Sequence, residues 1–179
     1  MSSYRIVPAT RDMHNELQRI ARTSKFTKDF GSIMFSSEAA YEKGWIQVAV
    51  NAHTGKPGGF YCVRQKVRTP VTELYFITVE PELRDLGLGA MLLRHLEESS
   101  KLERVEFHVD KTNEAALRFY QRHGYIIIGE GIKGTAHRLQ KILRERSSHD
   151  HQHPRDQWVG QDASRPRADE AVRCQGQRA

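Results

Sequence analysis

The sequence predicts an α+β fold in which one mostly antiparallel sheet of six to seven strands is flanked by about four helices. Two observations predict it. Short segments that alternate apolar and polar residues recur along residues 4–143, and turn-forming Asn, Gly and Pro residues join several of them. Between these segments lie others with apolar residues at helical spacing. With 179 residues and 38% hydrophobic content, the chain can build one ordinary core.

Seven segments have the alternation and the β-branched or aromatic content of strands. The second, third and fourth follow one another through short turns, which predicts an antiparallel meander before the first long helix. The predicted strands are Tyr4–Val7, Trp45–Val50, Phe60–Lys66, Val71–Val79, Arg104–Val109, Tyr125–Ile128 and Thr135–Ile142.

Four helices are predicted from spacing, caps and stops. They run from Thr10 through Ile20, from Ser37 to Lys43, from Leu88 through Leu96, and from Asn113 to a stop at Gly124. Thr10 is the expected cap of the first helix and Thr112 that of the fourth. The folded domain is expected to cover residues 1–145.

Residues 146–179 are expected to form a disordered polar tail, because apolar residues there are scattered and show no periodicity. From Ser147 onward, five arginines balance five acidic residues, so the formal net charge of +6 belongs to the preceding part of the chain. His149, His151 and His153 alternate in the tail, but three histidines without a fourth ligand do not predict a metal site.

The composition favours a soluble cytoplasmic protein with anionic partners. Neither an apolar signal segment nor a membrane-spanning run is visible. The only two cysteines, Cys62 and Cys174, lack metal or redox spacing, so reduced thiols are expected. The positive charge suits the phosphates of a cofactor, a nucleic acid or an acidic protein surface, and argues against a polycationic substrate.

The segment Glu73–Ser100 predicts an anion site, because it reads as a strand that leads into a glycine-bearing helix start. The first helical N–H groups lack intrahelical partners, and glycines let a phosphate approach them closely. A Walker-type loop is excluded, since no Lys or hydroxyl stands between Arg84 and Leu93. A dinucleotide fingerprint is excluded as well, since Leu92 occupies the place of its third glycine.

A second motif begins at Asn113 and ends in Gly124-Tyr125. Asn113 and Tyr120 are seven residues apart, so a helix would present them on one face two turns apart. Taken separately, Asn113 could be a helix cap and Tyr120 a core aromatic.

Together, the loop Arg84-x-x-Gly87-x-Gly89 and the motif Asn113-x-x-Ala116-x-x-x-Tyr120 resemble the GNAT N-acetyltransferase superfamily, over roughly residues 4–143. The resemblance implies a fourth strand that splays from the fifth at a bulge near its end. It also implies acetyl-CoA as co-substrate, with pantetheine in the gap between the two strands.

The resemblance implies which residues bind the cofactor: three through the main chain of the fourth strand, seven in the pyrophosphate loop, and two on the following helix. They are Ile77, Thr78, Val79, Arg84, Asp85, Leu86, Gly87, Leu88, Gly89, Ala90, Asn113 and Tyr120. Asp85 departs from the family pattern, because a carboxylate near a pyrophosphate is unfavourable. Unless Arg84, Lys111 and Arg94 offset it, Asp85→Arg is expected to raise cofactor affinity.

Acetyl transfer to an amine needs a base for the ammonium proton and a donor for the departing sulfur. Tyr120 is the candidate donor, since a phenol is protonated at neutral pH. Glu73 is the candidate base, because it matches the catalytic glutamate of the histone acetyltransferase branch. His108 and a chain of ordered water are the alternatives.

The predicted activity is transfer of an acetyl group from acetyl-CoA to a primary amine, by direct attack in a ternary complex. Three acceptor classes stay open: a protein N-terminus or lysine, a small amine, and an amine on a modified nucleic-acid base, although no nucleic-acid motif is present. A monomer or a homodimer is expected. The alternative is a non-catalytic acyl-CoA sensor, against which Tyr120 and Glu73 argue.

Overall fold

The computed structural model describes residues 3–26, 37–66 and 68–144. These residues belong to one compact unit, which spans Met1–Arg146. The predicted tail, with its three histidines and Cys174, lies outside the described residues. Within the described ranges, every helix is too short or too polar to cross a membrane.

The centre of the fold is a seven-stranded sheet with the strand order β1-β2-β3-β4-β5-β7-β6. Neighbouring strands are antiparallel except β4 and β5, which are parallel. The α+β class and the antiparallel meander from β2 to β4 are therefore confirmed. The strands are β1 (Tyr4–Pro8), β2 (Ile46–Asn51), β3 (Pro57–Lys66), β4 (Val71–Val79), β5 (Arg104–Asp110), β6 (Ile126–Glu130) and β7 (Ala136–Ile142).

Four α-helices are present among the described residues, as the sequence predicts. They are α1 (His14–Arg22), α2 (Glu38–Glu42), α3 (Leu88–Ser99) and α4 (Glu114–Arg122).

Both predicted threonine caps are wrong. Thr10 precedes a single 3₁₀ turn and makes no side-chain cap hydrogen bond. Asn113 caps α4, since its side-chain oxygen accepts a hydrogen bond from the Ala116 N–H at 3.3 Å. The Thr112 hydroxyl instead donates to Asp110 at 2.6 Å, in the turn before the helix.

Each face of the sheet carries its own apolar core. On one face, α3 and α4 cover a cluster that includes Leu74, Phe107 and Leu139. On the other face, α1 and α2 cover a cluster that includes Phe60 and Phe76. Strand alternation therefore turns the even-numbered residues of β5 toward the face of α1 and α2.

The parallel strands β4 and β5 pair at three positions only and then part. The last pair is Glu73 with Glu106, although β4 continues to Val79 and β5 to Asp110. The pairing of β3 with β4 shifts by one residue where Cys62 lies opposite Phe76 and Val63 opposite Leu74, so Tyr75 is the extra residue of a bulge. The splayed strands are thus confirmed, but the bulge lies in the middle of β4 and not at its end.

Candidate active site

Two clefts meet where β4 and β5 part. The fork cleft, of about 550 Å³, lies between the separated strands and reaches α4. The charged cleft, of about 540 Å³, extends toward β3 and β7. Glu73, Phe107 and His108 line both clefts, so these three side chains form the wall at which a molecule in one cleft would meet a molecule in the other.

Tyr120 lies in the fork cleft and is held there by aromatic packing. Its ring centroid is 4.4 Å from that of Phe107 and 5.2 Å from that of Phe119. Burial raises the pKa of Tyr120 well above its ordinary value, which keeps the hydroxyl protonated. Tyr120 is therefore both a core aromatic and a wall of the cleft.

Asn113 also lines the fork cleft while it caps α4. The cap occupies its side-chain oxygen, which leaves the two N–H donors of the amide as the groups it can offer to a ligand. The structural and the functional interpretation of Asn113 are therefore compatible.

The exposed edge of β4 lies along the fork cleft. From Leu74 to Val79, β4 pairs with β3 but no longer with β5, which leaves main-chain groups on the β5 side without a strand partner. Ile77 lines the cleft, whereas the side chains of Thr78 and Val79 are buried. A role of Thr78 and Val79 in ligand binding would thus be limited to their main chain.

The loop between β4 and α3 has two left-handed residues just before the helix start. Asp85 and Gly87 adopt φ of 62° and 83°. The first N–H groups of α3 lack intrahelical partners, so they are available to a ligand at this loop. A Cβ at Gly87 would meet nothing within 4 Å, and Leu86 is 73% exposed, so this loop is open to a large anionic ligand.

The α3 end of this loop is packed more tightly. Leu88 is buried, Gly89 and Ala90 are half-buried, and a Cβ at Gly89 would lie 3.6 Å from the Phe119 ring. Gly89 thus brings the first turn of α3 close to α4, which lies beside the fork cleft.

Two of the three cations that were expected to offset Asp85 make other contacts. Arg84 donates to the carbonyl oxygen of Val79 at 3.3 Å and to the Thr23 hydroxyl at 3.4 Å. Lys111 pairs with Glu130 at 2.5 Å. Within residues 3–26, 37–66 and 68–144, Asp85 has no ion-pair partner, so its charge remains at the loop.

In the charged cleft, Glu73 forms an ion pair that the sequence did not predict. The Lys66 Nζ lies 2.9 Å from the Glu73 Oε2. Lys66 ends β3, and Glu73 is the last residue of β4 that pairs with β5. The lysine is thus placed to orient the Glu73 carboxylate.

His108 depends on a glycine in the β6–β7 turn. A Cβ at Gly131 would lie 2.2 Å from the His108 Cδ2, which is far inside van der Waals contact. The imidazole therefore rests directly against the Gly131 backbone. Sequence spacing does not show this contact, since the two residues lie on different elements.

Glu106 joins two arginines across the floor of the charged cleft. Its carboxylate accepts from Arg104 Nε at 2.7 Å and from Arg138 Nη2 at 2.5 Å. Burial raises the pKa of Glu106, but the hydrogen bonds and charges of Arg138 and Arg104 outweigh burial, so the net pKa lies below the ordinary value. Glu106 is therefore ionised and unsuited to act as a base.

Residues 10–125 match the sequence profile described as "Acetyltransferase (GNAT) family". The chain belongs to the GNAT acetyltransferase family. The 5-NmdU N-acetyltransferase of Pseudomonas phage PaMx11 is 48% identical over 129 residues, which cover 72% of this chain and 91% of the phage protein. The N-alpha-acetyltransferase 50 of Danio rerio is 30% identical over 139 residues, which cover 70% of this chain and 76% of the fish protein.

A solved GNAT fold gives the same architecture. The PaiA N-acetyltransferase of Thermoplasma acidophilum, determined in complex with coenzyme A, superposes with a TM-score of 0.65 at 17% identity, over 79% of this chain and 99% of that one. Membership of the GNAT family and the similarity to two N-acetyltransferases make the present chain an N-acetyltransferase, not a binding module alone.

Proposed function

We propose that this GNAT enzyme transfers an acetyl group from acetyl-CoA to a primary amine on a modified nucleic-acid base. The observation that carries the proposal is the pair of clefts that meet at Glu73, Phe107 and His108. One cleft suits an extended thioester carrier and the other a charged acceptor. Two substrates that enter from opposite sides could react directly at this wall.

The donor side fits coenzyme A. The unpaired edge of β4 offers main-chain groups to pantetheine amides, as an added strand would use them. The N–H groups from Asp85 to Ala90, at the start of α3, would hold the pyrophosphate. Asn113 would donate from the side of α4. The bound carrier supplies the acetyl thioester.

Tyr120 is proposed to hold the proton that the departing sulfur needs. Its raised pKa keeps it protonated but also makes it a weaker acid than a free phenol. The hydroxyl therefore acts mainly as a hydrogen-bond donor to the developing thiolate, in a cleft where burial strengthens that bond.

Glu73 is proposed to accept the proton of the ammonium group, and His108 is the second candidate. Both lie at the wall between the clefts, within reach of either substrate. The ion pair with Lys66 orients the Glu73 carboxylate. The full transfer breaks the carbon–sulfur bond, forms the amide bond and removes two protons from the ammonium nitrogen: one leaves through the base to solvent, and the other balances the proton that the sulfur receives.

The acceptor class rests on the phage relative, which acts on 5-NmdU according to its name and matches this chain over most of both lengths. The charge of the domain agrees, because +6 is favourable for a polyanionic partner. We further propose that the enzyme works in the cytoplasm, where acetyl-CoA and nucleic acid are both present.

An amine panel tests the proposal. Thiol release from acetyl-CoA is measured with a deoxyoligonucleotide that carries 5-aminomethyluracil, with a peptide that has a free N-terminus, and with spermidine. We expect kcat/KM for the oligonucleotide to exceed that for the peptide at least tenfold, with one acetyl group gained in its mass. A faster reaction with the peptide would indicate that the acceptor is a protein. Absence of thiol release with all three amines would reject the proposal.

A further inference from the structure

We infer that Arg104 and Arg138, braced by Glu106, form a phosphate site that anchors the acceptor through its sugar–phosphate backbone. The inference deepens the proposed function and rests on its acceptor class. The ligand chemistry is a phosphate oxyanion, either the monoester of a nucleotide or the diester of a strand.

Arg138 is the more available cation of this triad. Both guanidinium groups share the ionised Glu106 carboxylate, and Arg104 also lies 4.0 Å from a carboxylate oxygen of Glu103. Arg138 has Glu106 as its one ion-pair partner among the described residues. The Glu106 side chain is only 12% exposed, whereas those of Arg104 and Arg138 are 30% and 46% exposed, so the two cations are more accessible to a ligand than the carboxylate that holds them.

The triad is also rigid and has hydrogen-bond capacity to spare. Each guanidinium has five N–H donors, of which the bonds to Glu106 occupy one each. Both arginines stand on paired strands, β5 and β7, and not on loops. Prealigned planar donors of this kind match phosphate oxygens, which is why arginine is common at phosphate sites.

The position of the triad places an anion beside the reaction centre. Arg138 lies directly opposite His108 in the β5–β7 ladder. Arg104 is four residues before His108 on the same face of β5, about 13 Å along the strand. A phosphate held between the arginines would therefore lie beside Glu106, whose strand partner is Glu73, and next to the wall at Glu73 and His108.

The triad continues into a second groove. A cleft of about 520 Å³ shares Arg104, Glu106 and Arg138 with the charged cleft and adds Ile128, Ile142 and Arg144. It thus combines another cation and the carboxylate of Glu103 with two exposed isoleucines, so a strand that continues there would pass Arg144 beyond its first phosphate.

Binding of an unmodified single-stranded oligonucleotide, followed by fluorescence anisotropy, tests the site without any acetylation. We expect Arg138→Ala to weaken binding about tenfold and to reduce the salt dependence by about one phosphate contact. Arg138→Lys should recover only part of the affinity, because it keeps the charge but loses the planar fork. The matched control is Arg118→Ala, which removes an exposed, ion-paired arginine of α4. It should bind like the wild type.

Acetylation kinetics then separate the two phosphate sources. KM is compared for the free 5-aminomethyl nucleoside, its mononucleotide and the oligonucleotide. A lower KM for the mononucleotide assigns a phosphate monoester, and a lower KM for the oligonucleotide alone assigns the diester. In both cases Arg138→Ala should abolish the difference and leave the nucleoside KM within about twofold.

Two results would overturn the inference. One is oligonucleotide binding that is unchanged in Arg138→Ala. The other is a KM that rises equally for nucleoside and oligonucleotide in Arg138→Ala, together with a lower melting temperature, which would show that the triad is only structural. If Arg138 governs binding but no base amine is acetylated, the anion site stands and the proposed acceptor is wrong.

Discussion

The two clefts that meet at Glu73 present different chemical groups to a ligand. The fork cleft offers an unpaired strand edge and the side of α4. The same strand, β4, is followed by a loop with two left-handed residues and then by the start of α3. The charged cleft offers side chains from four strands, held in ion pairs: Lys66 with Glu73, and Arg104 and Arg138 with Glu106.

This difference corresponds to two kinds of recognition. Main-chain groups bind one invariant partner regardless of side-chain identity, which suits a carrier that every member of the family shares. Charged side chains can change one by one, which suits an acceptor that differs between relatives. If this division is right, variants of the fork cleft should affect chemistry and carrier binding, whereas variants of the charged cleft should affect acceptor choice and stability.

The largest effect is expected at Tyr120, on the carrier side. Tyr120→Phe removes the hydroxyl but keeps the ring among Phe107, Phe119 and Tyr125. Loss of a proton donor should lower kcat by about 10²–10³-fold and leave coenzyme A binding unchanged. Pre-steady-state thiol release measures the first quantity and calorimetry the second.

Tyr125→Phe is the matched control, since that ring lies 5.8 Å from the Tyr120 ring but does not line the fork cleft. It should retain kcat. If Tyr120→Phe retained more than a third of the wild-type kcat, Tyr120 would serve only in packing. Neither cleft would then contain an assigned proton donor for the sulfur.

The loop before α3 and the helix beside the fork cleft were predictable from sequence, whereas the ion pairs of the charged cleft were not. The loop from Arg84 to Gly89 and the helix from Asn113 to Tyr120 are local patterns, so their spacing alone predicts their place in the fold. The pairs Lys66–Glu73 and Glu106–Arg138 join residues on different strands. Only the observed register shows them, and the position of the bulge at Tyr75 was missed for the same reason.

A sequence pattern also cannot show backbone strain or close approach. Asp85 looked like an electrostatic mismatch alone, but its φ of 62° shows that the position also demands a left-handed residue. Gly131 lies in the turn between β6 and β7, and it also leaves space for the His108 imidazole. In both cases the missing information was a three-dimensional contact or conformation.

The second prediction concerns the wall that both clefts share. Glu73→Gln should lower kcat by about 10²-fold, the lower end of what a general base contributes. His108→Gln should cost less than tenfold if Glu73 is the base. The rate–pH profile decides between them, because only loss of the true base removes the fall in kcat/KM on the acidic side. A larger loss in His108→Gln would reverse the assignment, and small losses in both would indicate water.

The third prediction tests the charged cleft by stability. Because the folded-state pKa of Glu106 is lowered, its ionised form stabilises the fold above the unfolded pKa, and that stabilisation is lost as pH falls through the folded pKa. Glu106→Gln should therefore destabilise the protein by about 1–2 kcal/mol at pH 7 and by much less near pH 3. Urea titrations at both pH values measure the difference.

The control for Glu106 is Glu114→Gln, which breaks an exposed i,i+4 pair with Arg118. It should change the free energy of unfolding by less than about 0.5 kcal/mol at pH 7. If Glu106→Gln is equally mild, the triad does not brace the sheet, and the contrast between a rigid charged cleft and a main-chain fork cleft would fail.

The smallest effect is expected at Asp85, whose negative charge is unfavourable for a pyrophosphate at the loop before α3. Asp85→Asn removes the carboxylate but keeps a side chain that tolerates the left-handed conformation. Relief of repulsion with a pyrophosphate at an exposed loop should strengthen coenzyme A binding roughly two- to fivefold, in line with about 1 kcal/mol for unit charges 4 Å apart in water. Asp85→Ala removes the same charge, but alanine adopts the left-handed conformation less readily, so its coenzyme A affinity should rise less than that of Asp85→Asn. Asp85→Arg adds attraction to the pyrophosphate and meets the same conformational penalty. Calorimetry that finds Asp85→Asn no tighter than the wild type would show that the carboxylate lies away from the phosphates, and the loop would then be tuned by backbone conformation alone.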